Sequence, residues 1–235
     1  MVKISVMTPT YNEAENVPKL IGSLHEVLKG NSFEIIVIDD NSPDGTAEVI
    51  RKLSSRYENI KLMCRHAKMG IGSAYKDGFK LSSGDVVTYM DADLSHDPRD
   101  LPKLINALKN ADMAVGSRFM KGGGIIGWGW HRYLTNLGAN LLARLILRLD
   151  VKDTTSGYKV YKRKTFEKLV SMSNFGGFTD FDEEMLYLAK KHGVKVKEIP
   201  ITFVNRELGN SKLGLRDILS FIQALLSVRL RWNHG

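Results

Sequence analysis

In the stretch Val86-Val87-Thr88-Tyr89-Met90-Asp91-Ala92-Asp93 a short apolar run ends abruptly in two carboxylates. Runs of this kind are typical of strands that are buried on both faces of a parallel sheet. Residues 1–117 repeat the pattern, and segments with helical periodicity separate the apolar runs. The sequence therefore predicts an α/β fold, with a mostly parallel sheet flanked by helices.

The predicted elements alternate regularly in the first half of the chain and less regularly in the second. The predicted strands of the first half are Lys3–Thr8, Glu34–Asp39, Ile60–Cys64, Val86–Met90 and Met113–Gly116. Its predicted helices are Glu13–Lys29, Thr46–Arg56, Gly70–Leu81 and Pro98–Lys109. The second half is predicted to contain, in order, a mobile glycine loop Lys121–Trp130, a helix His131–Leu149, a strand Gly157–Tyr161, a helix Phe181–His192, an extended segment Val194–Val204 and an amphipathic helix Leu213–Trp232.

Positive charge is concentrated in the second half of the 235-residue chain, whose net charge is +8. Residues 1–117 hold 14 lysines and arginines against 16 acidic residues, whereas residues 118–235 hold 20 against 10. This excess suggests a negative partner on that side: nucleic acid, an anionic membrane or a phosphorylated ligand. The single cysteine, Cys64, excludes a disulfide framework. No stretch offers the roughly 18–20 uninterrupted apolar residues of a transmembrane helix, so we expect no spanning segment.

Polar side chains follow three predicted strands at their carboxyl ends, where such sheets bind ligands. They lie in Pro9-Thr10-Tyr11-Asn12-Glu13, Asp39-Asp40 and Asp91-Ala92-Asp93. The last pair suits a divalent cation, Mg²⁺ or Mn²⁺, that also holds phosphate oxygens. Each motif also has an ordinary explanation: a solvated acidic turn at 91–93, helix capping at 39–40, and a capped turn at 9–13. Their shared location favours a binding crevice.

These motifs resemble those of family 2 glycosyltransferases, which have the GT-A (Rossmann-like) fold. Further stretches, in the same order and over nearly the whole chain, resemble dolichyl-phosphate mannosyltransferases: Met90–His96, Gly116–Arg118, Gly127–Gly129, Thr155–Tyr158 and Asn210–Gly214. The resemblance implies one catalytic domain, with a nucleotide-sugar and metal half over 1–117 and an acceptor half over 118–212. The remaining residues, 213–235, would form an amphipathic, membrane-facing tail.

The resemblance also implies the residues of the donor site. Those that would hold the guanosine of GDP-mannose are Pro9, Tyr11, Glu13 and Asp40. Asp91 and Asp93 would bind Mg²⁺ or Mn²⁺ and the diphosphate, with Ala92 between them in the same site. Ser95 stands where many relatives carry a metal-facing glutamine and is the third implied ligand. The basic pair that would cover the diphosphate consists of Arg206 and Lys212.

The acceptor side is implied by a second set of residues. Arg118 and Arg132 match the arginines that face the acceptor phosphate in the family. Asn136 stands where family members often carry a serine, and its amide can still donate a hydrogen bond. The residues implied to act in catalysis are Asp93, Arg118 and Arg132.

The implied reaction moves mannose from GDP-mannose to dolichyl (polyprenyl) phosphate with inversion, giving dolichyl β-D-mannosyl phosphate and GDP. Three alternatives stay open: a polyprenyl-phosphate glucosyltransferase that uses UDP-glucose, a nucleotide-sugar sensor without turnover, and a basic nucleic-acid-binding domain. The last explains the charge but not the acidic strand ends, because carboxylates repel phosphates, and the sequence has no nucleic-acid signature. We therefore expect no nucleic-acid partner.

Two segments predict contact with a membrane surface. Leucines recur at helical spacing in 134–149 and apolar residues recur likewise in 218–228, which ends in Arg229-Leu230-Arg231-Trp232. Apolar faces flanked by arginine and tryptophan are typical of interfacial helices, although core packing gives the same pattern. The sequence predicts peripheral attachment to the cytoplasmic face of a membrane, aided by a small membrane-spanning subunit.

Overall fold

The computed structural model describes residues 2–174, 181–205 and 215–232, with side chains of the last segment from residue 219 onward. Among these residues, seven strands form the main sheet in the order β3-β2-β1-β4-β7-β5-β8. These strands are β1 Lys3–Thr10, β2 Ser32–Asp39, β3 Ile60–Cys64, β4 Val86–Tyr89, β5 Met113–Ser117, β7 Lys159–Lys162 and β8 Val196–Pro200. Only β7 runs antiparallel to its neighbours, β4 and β5, so the predicted mostly parallel sheet is confirmed.

A second, two-stranded parallel sheet pairs β6 Gly124–Ile126 with β9 Thr202–Val204. It forms within the glycine loop that the sequence predicts to be mobile. The register places Ile125 opposite Phe203, and Gly124 also donates its backbone N–H to the Ile201 carbonyl. The loop is therefore anchored to the end of the chain's extended segment, because its backbone groups find partners there that are distant in sequence.

The described helices are α1 Val17–Val27, α2 Thr46–Ser54, α3 Ile71–Leu81, α4 Leu101–Ala107, α5 Trp130–Leu147, α6 Arg163–Met172, α7 Phe181–Lys191 and α8 Leu215–Arg231. Helix α1 begins at Val17, four residues later than predicted. A proline lies in its first turn, where proline is favoured because N–H groups at this position have no hydrogen-bond partner within the helix. The helix predicted over 98–109 is split into a 3₁₀ turn, Pro98–Asp100, and α4. Helix α6 was not predicted from the sequence.

Apolar side chains of β1 alternate between two cores, one on each face of the sheet. Val6 packs with α1 and α4, whereas Met7 packs with α3 and with the aromatic residues of the other face. That second core also takes in α5, α7 and α8, through residues such as Leu147, Met185 and Leu225. Polar loops are thereby left at the carboxyl ends of β1, β2 and β4, along one edge of the sheet.

Helix α8 is fixed to the body of the protein by its last turns. Arg229 donates to the Ile146 carbonyl at the end of α5, at 2.6 Å. Arg231 and the Trp232 indole both bind the buried Glu184 carboxylate of α7, at 3.1 and 2.9 Å. This differs from the expectation that these three residues face a membrane, because their polar groups bind partners within the protein.

Several leucines on α5 and α8 nevertheless remain exposed. Along α5 the fractional exposure of the leucines at 134, 137, 141 and 145 is between 42% and 64%, and along α8 it reaches 61% at Leu219 and 63% at Leu230. None of the described helices is long and apolar enough to cross a bilayer.

Candidate active site

Two adjoining clefts lie at the carboxyl ends of β1, β2 and β4. The smaller, about 370 Å³, is lined by most of the predicted donor residues: Pro9, Tyr11, Glu13, Asp40, Asp91, Ala92 and Asp93. The larger, about 770 Å³, is lined among others by Asp44, Leu94, Val204 and Asn205. Tyr11, Glu13 and Asp93 line both clefts. The fold therefore brings together residues that are 80 positions apart in the sequence.

Asp40, at the far end of the smaller cleft, forms a buried ion pair that the sequence did not predict. Arg65 donates to both of its carboxylate oxygens, at 2.6 and 2.8 Å, and a further nitrogen of Arg65 donates to Ser73. Each carboxylate oxygen keeps a second lone pair. Asp40 is thus held rigidly at the cleft wall and retains capacity to accept a hydrogen bond from a base.

Tyr11 supplies an aromatic surface at the mouth of the same cleft. The residue is 39% exposed, and the ammonium nitrogen of Lys68 lies 3.9 Å from the ring centre. Neighbouring Asn12 has φ 61°, in the left-handed region that asparagine tolerates. This turn is held by Ser42, whose hydroxyl accepts the Asn12 N–H at 3.0 Å. Asn12 does not cap α1, whose N-cap position is Asn16.

The loop after β4 carries the predicted metal ligands. The Ser95 backbone N–H donates to a carboxylate oxygen of Asp93 at 3.0 Å, in a turn where Leu94 takes φ 61°. A left-handed leucine is strained, which is common where a site imposes the backbone. The side chain of Asp91 is 38% exposed towards the cleft.

These residues fit a divalent cation. The Ser95 hydroxyl is buried and has no hydrogen-bond partner in the described structure, and the backbone N–H of the same residue binds the Asp93 carboxylate. Buried hydroxyls are rarely left unsatisfied, so this oxygen is free for a ligand that is bound there. The described residues contain no cluster of three histidine, cysteine or acidic groups around one point. Mg²⁺ and Mn²⁺ suit such a site, because one or two carboxylates plus substrate phosphates and water complete their shell.

His96 is the buried last residue of the loop 91–96, the metal loop, and is held neutral. Burial, and next the charge of Arg118, lower the pKa of the imidazole to about 3. Its Nδ1 lies 3.5 Å from the Asp91 backbone nitrogen, and its ring lies against those of Tyr158 and Phe203. Val204 of β9 donates its N–H to the Ser95 carbonyl, so the metal loop and β9 are joined by a backbone hydrogen bond.

Arg118 follows β5 and is almost completely buried. Its guanidinium pairs with both oxygens of Asp153, at 2.6 and 2.7 Å, and also donates to the Thr155 hydroxyl at 2.8 Å. Asp153 is itself fully buried and accepts the Arg118 backbone N–H. The predicted phosphate-facing arginine therefore also has a structural role, because it fixes the loop 153–157.

Arg132 and Asn136 stand on the side of α5 that faces the same loop. Arg132 donates to the side-chain oxygen of Asn205 at 2.7 Å, and its guanidinium carbon lies 4.3 Å from the ring centre of Trp128. The same ring lies 5.5 Å from the guanidinium carbon of Arg118. Trp128 thus lies between the two predicted acceptor arginines and holds both by cation–π contact.

Asn136 lies one helical turn before Asn140, and both amides reach the Thr155 hydroxyl, at 3.3 and 3.1 Å. Asn140 also accepts the Thr154 backbone N–H at 2.6 Å. Asn140 was not predicted from the sequence, although Arg132, Asn136 and Asn140, each four residues from the next, mark a polar stripe on an otherwise apolar helix. Arg65, Asp153 and Asn205 were not predicted either, since no local signal in the sequence marks them. Arg206 and Lys212 lie outside the described residues.

The chain is similar to known proteins over most of its length. The sequence profile described as Glycosyl transferase family 2 matches residues 5–170. A dolichol-phosphate mannosyltransferase of Pyrococcus furiosus is 40% identical in an alignment that covers 99% of this chain and 65% of that protein. A polyprenol monophosphomannose synthase of Mycolicibacterium smegmatis is 39% identical, over 89% of this chain and 80% of that protein. An undecaprenyl-phosphate mannosyltransferase of Micrococcus luteus is 34% identical, over 91% and 88%.

Solved structures support the fold. Glucosyl-3-phosphoglycerate synthase from Mycobacterium tuberculosis, in complex with Mn²⁺, UDP and glucosyl-3-phosphoglycerate, matches with a TM-score of 0.69 and 21% identity, over 98% of this chain and 79% of that chain. The same enzyme with Mg²⁺ and UDP matches with a TM-score of 0.69 and 20% identity, over the same shares of the two chains. The predicted GT-A fold is confirmed by this likeness.

Proposed function

We propose that this chain, which belongs to glycosyltransferase family 2, transfers mannose from GDP-mannose to a polyprenyl phosphate such as dolichyl phosphate. One observation carries the proposal: a cleft lined by an aromatic ring and four carboxylates adjoins a second cleft, whose Asn205 binds Arg132, and Trp128 links Arg132 to Arg118. The three mannosyltransferases that it resembles are named for the same class of acceptor.

The donor occupies the smaller cleft in this proposal. Pro9, Tyr11 and Glu13 face the nucleoside, and Asp40, held by Arg65, accepts a hydrogen bond from the base. The basic pair Arg206 and Lys212 covers the diphosphate. These roles rest on the family resemblance and on the lining of the cleft.

Asp91, Asp93 and the Ser95 hydroxyl would hold Mg²⁺ or Mn²⁺ together with the diphosphate. When bound, such a cation supplies positive charge that stabilises the leaving GDP. The chain's own groups keep these ligands in place: the Ser95 N–H orients Asp93, and neutral His96 supports the backbone of Asp91. A neutral histidine adds no positive charge that would compete with the cation.

The acceptor phosphate lies beside Arg118, Arg132 and Asn136 in this proposal. One of its oxygens attacks the anomeric carbon and forms the new C–O bond, while the bond from that carbon to the GDP oxygen breaks. The phosphate is already ionised at neutral pH, so no general base is needed. Attack opposite the leaving group inverts the α-linked donor to a β-mannosyl phospholipid. The arginines offset repulsion between two anions, and alignment supplies much of the remaining acceleration.

The proposal includes peripheral attachment to the cytoplasmic face of a membrane, where the lipid acceptor resides, aided by a small membrane-spanning subunit. The exposed leucines of α5 support it, because they lie on the helix whose polar stripe carries Arg132 and Asn136. Apolar rows of this kind are typical of helices that lie in the membrane interface.

A transfer assay tests the proposal. The purified protein is incubated with a polyprenyl phosphate in detergent and with radiolabelled GDP-mannose or UDP-glucose, each with and without a chelator. We expect label in the lipid fraction only from GDP-mannose and only without chelator, in a β-linked product. Transfer only from UDP-glucose contradicts the donor, an α-linked product contradicts the inversion, and transfer that resists the chelator contradicts the role of the metal.

A further inference from the structure

Lys159 and Asp182 form a largely buried ion pair that the roles above do not use. Lys159, in β7, has no exposed surface, and its ammonium group donates to a carboxylate oxygen of Asp182, the second residue of α7. Burial of a charge pair costs most of the Coulomb energy that the pair gains, and apolar replacements are often neutral or stabilising. Stability of the fold alone therefore does not explain the pair.

The pair joins the two sides of the site. The Lys159 ammonium group also donates to the carbonyl of Ser156, within the loop 153–157. The Tyr89 hydroxyl donates to the same Asp182 oxygen at 2.9 Å, and Tyr89 is the last residue of β4, two residues before Asp91. A single carboxylate thus connects the strand that leads into the metal loop to the loop that holds Arg118.

The two loops are in close contact at this point. A Cβ atom added to Gly157 would lie 3.7 Å from a carboxylate oxygen of Asp91 and 3.5 Å from the His96 ring. At the opposite end of its loop, Asp153 holds Arg118. A small shift of 153–157 would therefore move the acceptor arginine relative to the metal ligands.

We propose that Lys159 and Asp182 are positioning residues that set the acceptor-side loop 153–157 against the metal loop 91–96. The inference rests on the proposed function. Displacement requires the attacking oxygen to be aligned with the anomeric carbon, and small misplacements of the groups that hold it reduce the rate strongly. Binding of the nucleotide alone uses only the donor cleft, so it does not depend on this alignment.

Two matched double variants test the inference. Lys159→Met/Asp182→Asn removes both charges of the buried pair. Lys162→Met/Asp112→Asn removes an exposed pair that involves the same strand, where the ammonium nitrogen lies 2.9 Å from the carboxylate. The measurements are kcat for mannosyl transfer at saturating substrates, Kd for GDP with Mn²⁺ by calorimetry, and hydrogen exchange of the peptide that covers 153–157.

We expect the first variant to lose at least about tenfold in kcat, to keep the wild-type Kd for GDP within twofold, and to exchange faster over 153–157. The control variant should match the wild type in all three measurements. Wild-type kcat and exchange in the first variant would overturn the inference, as would a loss of kcat matched by an equal loss of GDP affinity.

The wild-type protein gives a further test that does not depend on the folding of any variant. Its 153–157 peptide should exchange as slowly as the peptide from β4, and fast exchange there would overturn the inference. If the wild type transfers no sugar to any polyprenyl phosphate, the proposed function fails. The exchange and GDP-binding measurements would still decide whether the pair positions the loop.

Discussion

Both ends of the central sheet carry carboxylates, and their surroundings differ. At the amino end, Glu34 is buried and accepts hydrogen bonds from Ser5 and Ser83 while Lys61 lies 2.9 Å away. At the carboxyl end, Asp91 is 38% exposed and Asp93 lines two open clefts. The same chemical group serves the stability of the fold at one end and is accessible to a ligand at the other. The difference lies in how completely the protein itself satisfies the oxygens.

Removal of a carboxylate at the carboxyl end should have the largest effect, and this effect should be on activity and not on the stability of the fold. We expect Asp93→Ala to reduce kcat by a factor of about 10³, because the diphosphate loses much of the charge stabilisation of its leaving group. The unfolding midpoint in urea should stay close to that of the wild type, and Asp150→Ala, at a largely exposed carboxylate, serves as the control. A fully active Asp93→Ala would place the metal elsewhere.

The Arg118–Asp153 pair should combine both kinds of effect. Asp153→Asn leaves the buried guanidinium without its counter-charge, so we expect a loss of about 3–5 kcal/mol in unfolding free energy. The loop 153–157 loses its anchor as well, so the KM for the polyprenyl phosphate should rise more than the KM for the donor. Urea unfolding and steady-state kinetics check the two parts. Unchanged stability would show that the ion pair between Arg118 and Asp153 does not form in solution.

The amino end should affect stability through pH. Burial by itself raises the pKa of Glu34, but hydrogen bonds from Lys61, Ser5 and Ser83 outweigh it and lower the pKa to about 2. Between pH 4.5 and 2 the unfolded chain therefore binds a proton that the folded protein does not. This contribution to stability is present above pH 4.5 and is lost as the pH falls towards 2, by about 3 kcal/mol in total.

Urea unfolding at several pH values, for the wild type and for Glu34→Gln, measures this contribution. The variant should be less stable at neutral pH, and its stability should fall less steeply below pH 4.5. Its KM values at pH 7 should match those of the wild type. Parallel pH profiles for the two proteins would contradict the assignment.

The smallest effect should come from a surface at neither end of the sheet. Leu141→Ser/Leu145→Ser replaces two exposed leucines of α5, so we expect membrane partitioning to fall several-fold while GDP affinity stays unchanged. Co-sedimentation with vesicles that contain anionic lipid measures the partitioning. The control is Lys164→Ser/Lys168→Ser on α6, which changes charge but no apolar surface. Equal sedimentation of the leucine variant and the wild type would count against this face.

The donor side was largely predictable from the sequence and the acceptor side only in part. Asp91 and Asp93 follow a buried strand directly, and the carboxyl ends of parallel strands meet at one edge, so topology alone predicted their convergence with Tyr11 and Asp40. Arg118 is paired with Asp153, which is 35 residues away in the sequence and precedes the antiparallel strand β7. Its partner depends on tertiary packing, for which the sequence has no periodic signal.

The C-terminal end of α8 shows the same limit of prediction from sequence. Arg229, Arg231 and Trp232 match the composition of an interfacial helix, and yet they bind Ile146 and Glu184. Composition describes which groups a helix carries but not which of them find a partner inside the protein. On the face predicted over 134–149, by contrast, the leucines at 134, 137, 141 and 145 remain exposed, whereas Leu149 is buried in the core.

The attachment of α8 to α5 and α7 has a consequence for diffusion. A helix on a flexible tether would let the catalytic body tumble freely after docking, whereas α8 cannot rotate without carrying the body with it. In the proposed membrane-bound state, contact through its leucines would therefore remove rotational freedom from the whole enzyme at once. The search for a lipid headgroup would then become a two-dimensional search at nearly constant orientation.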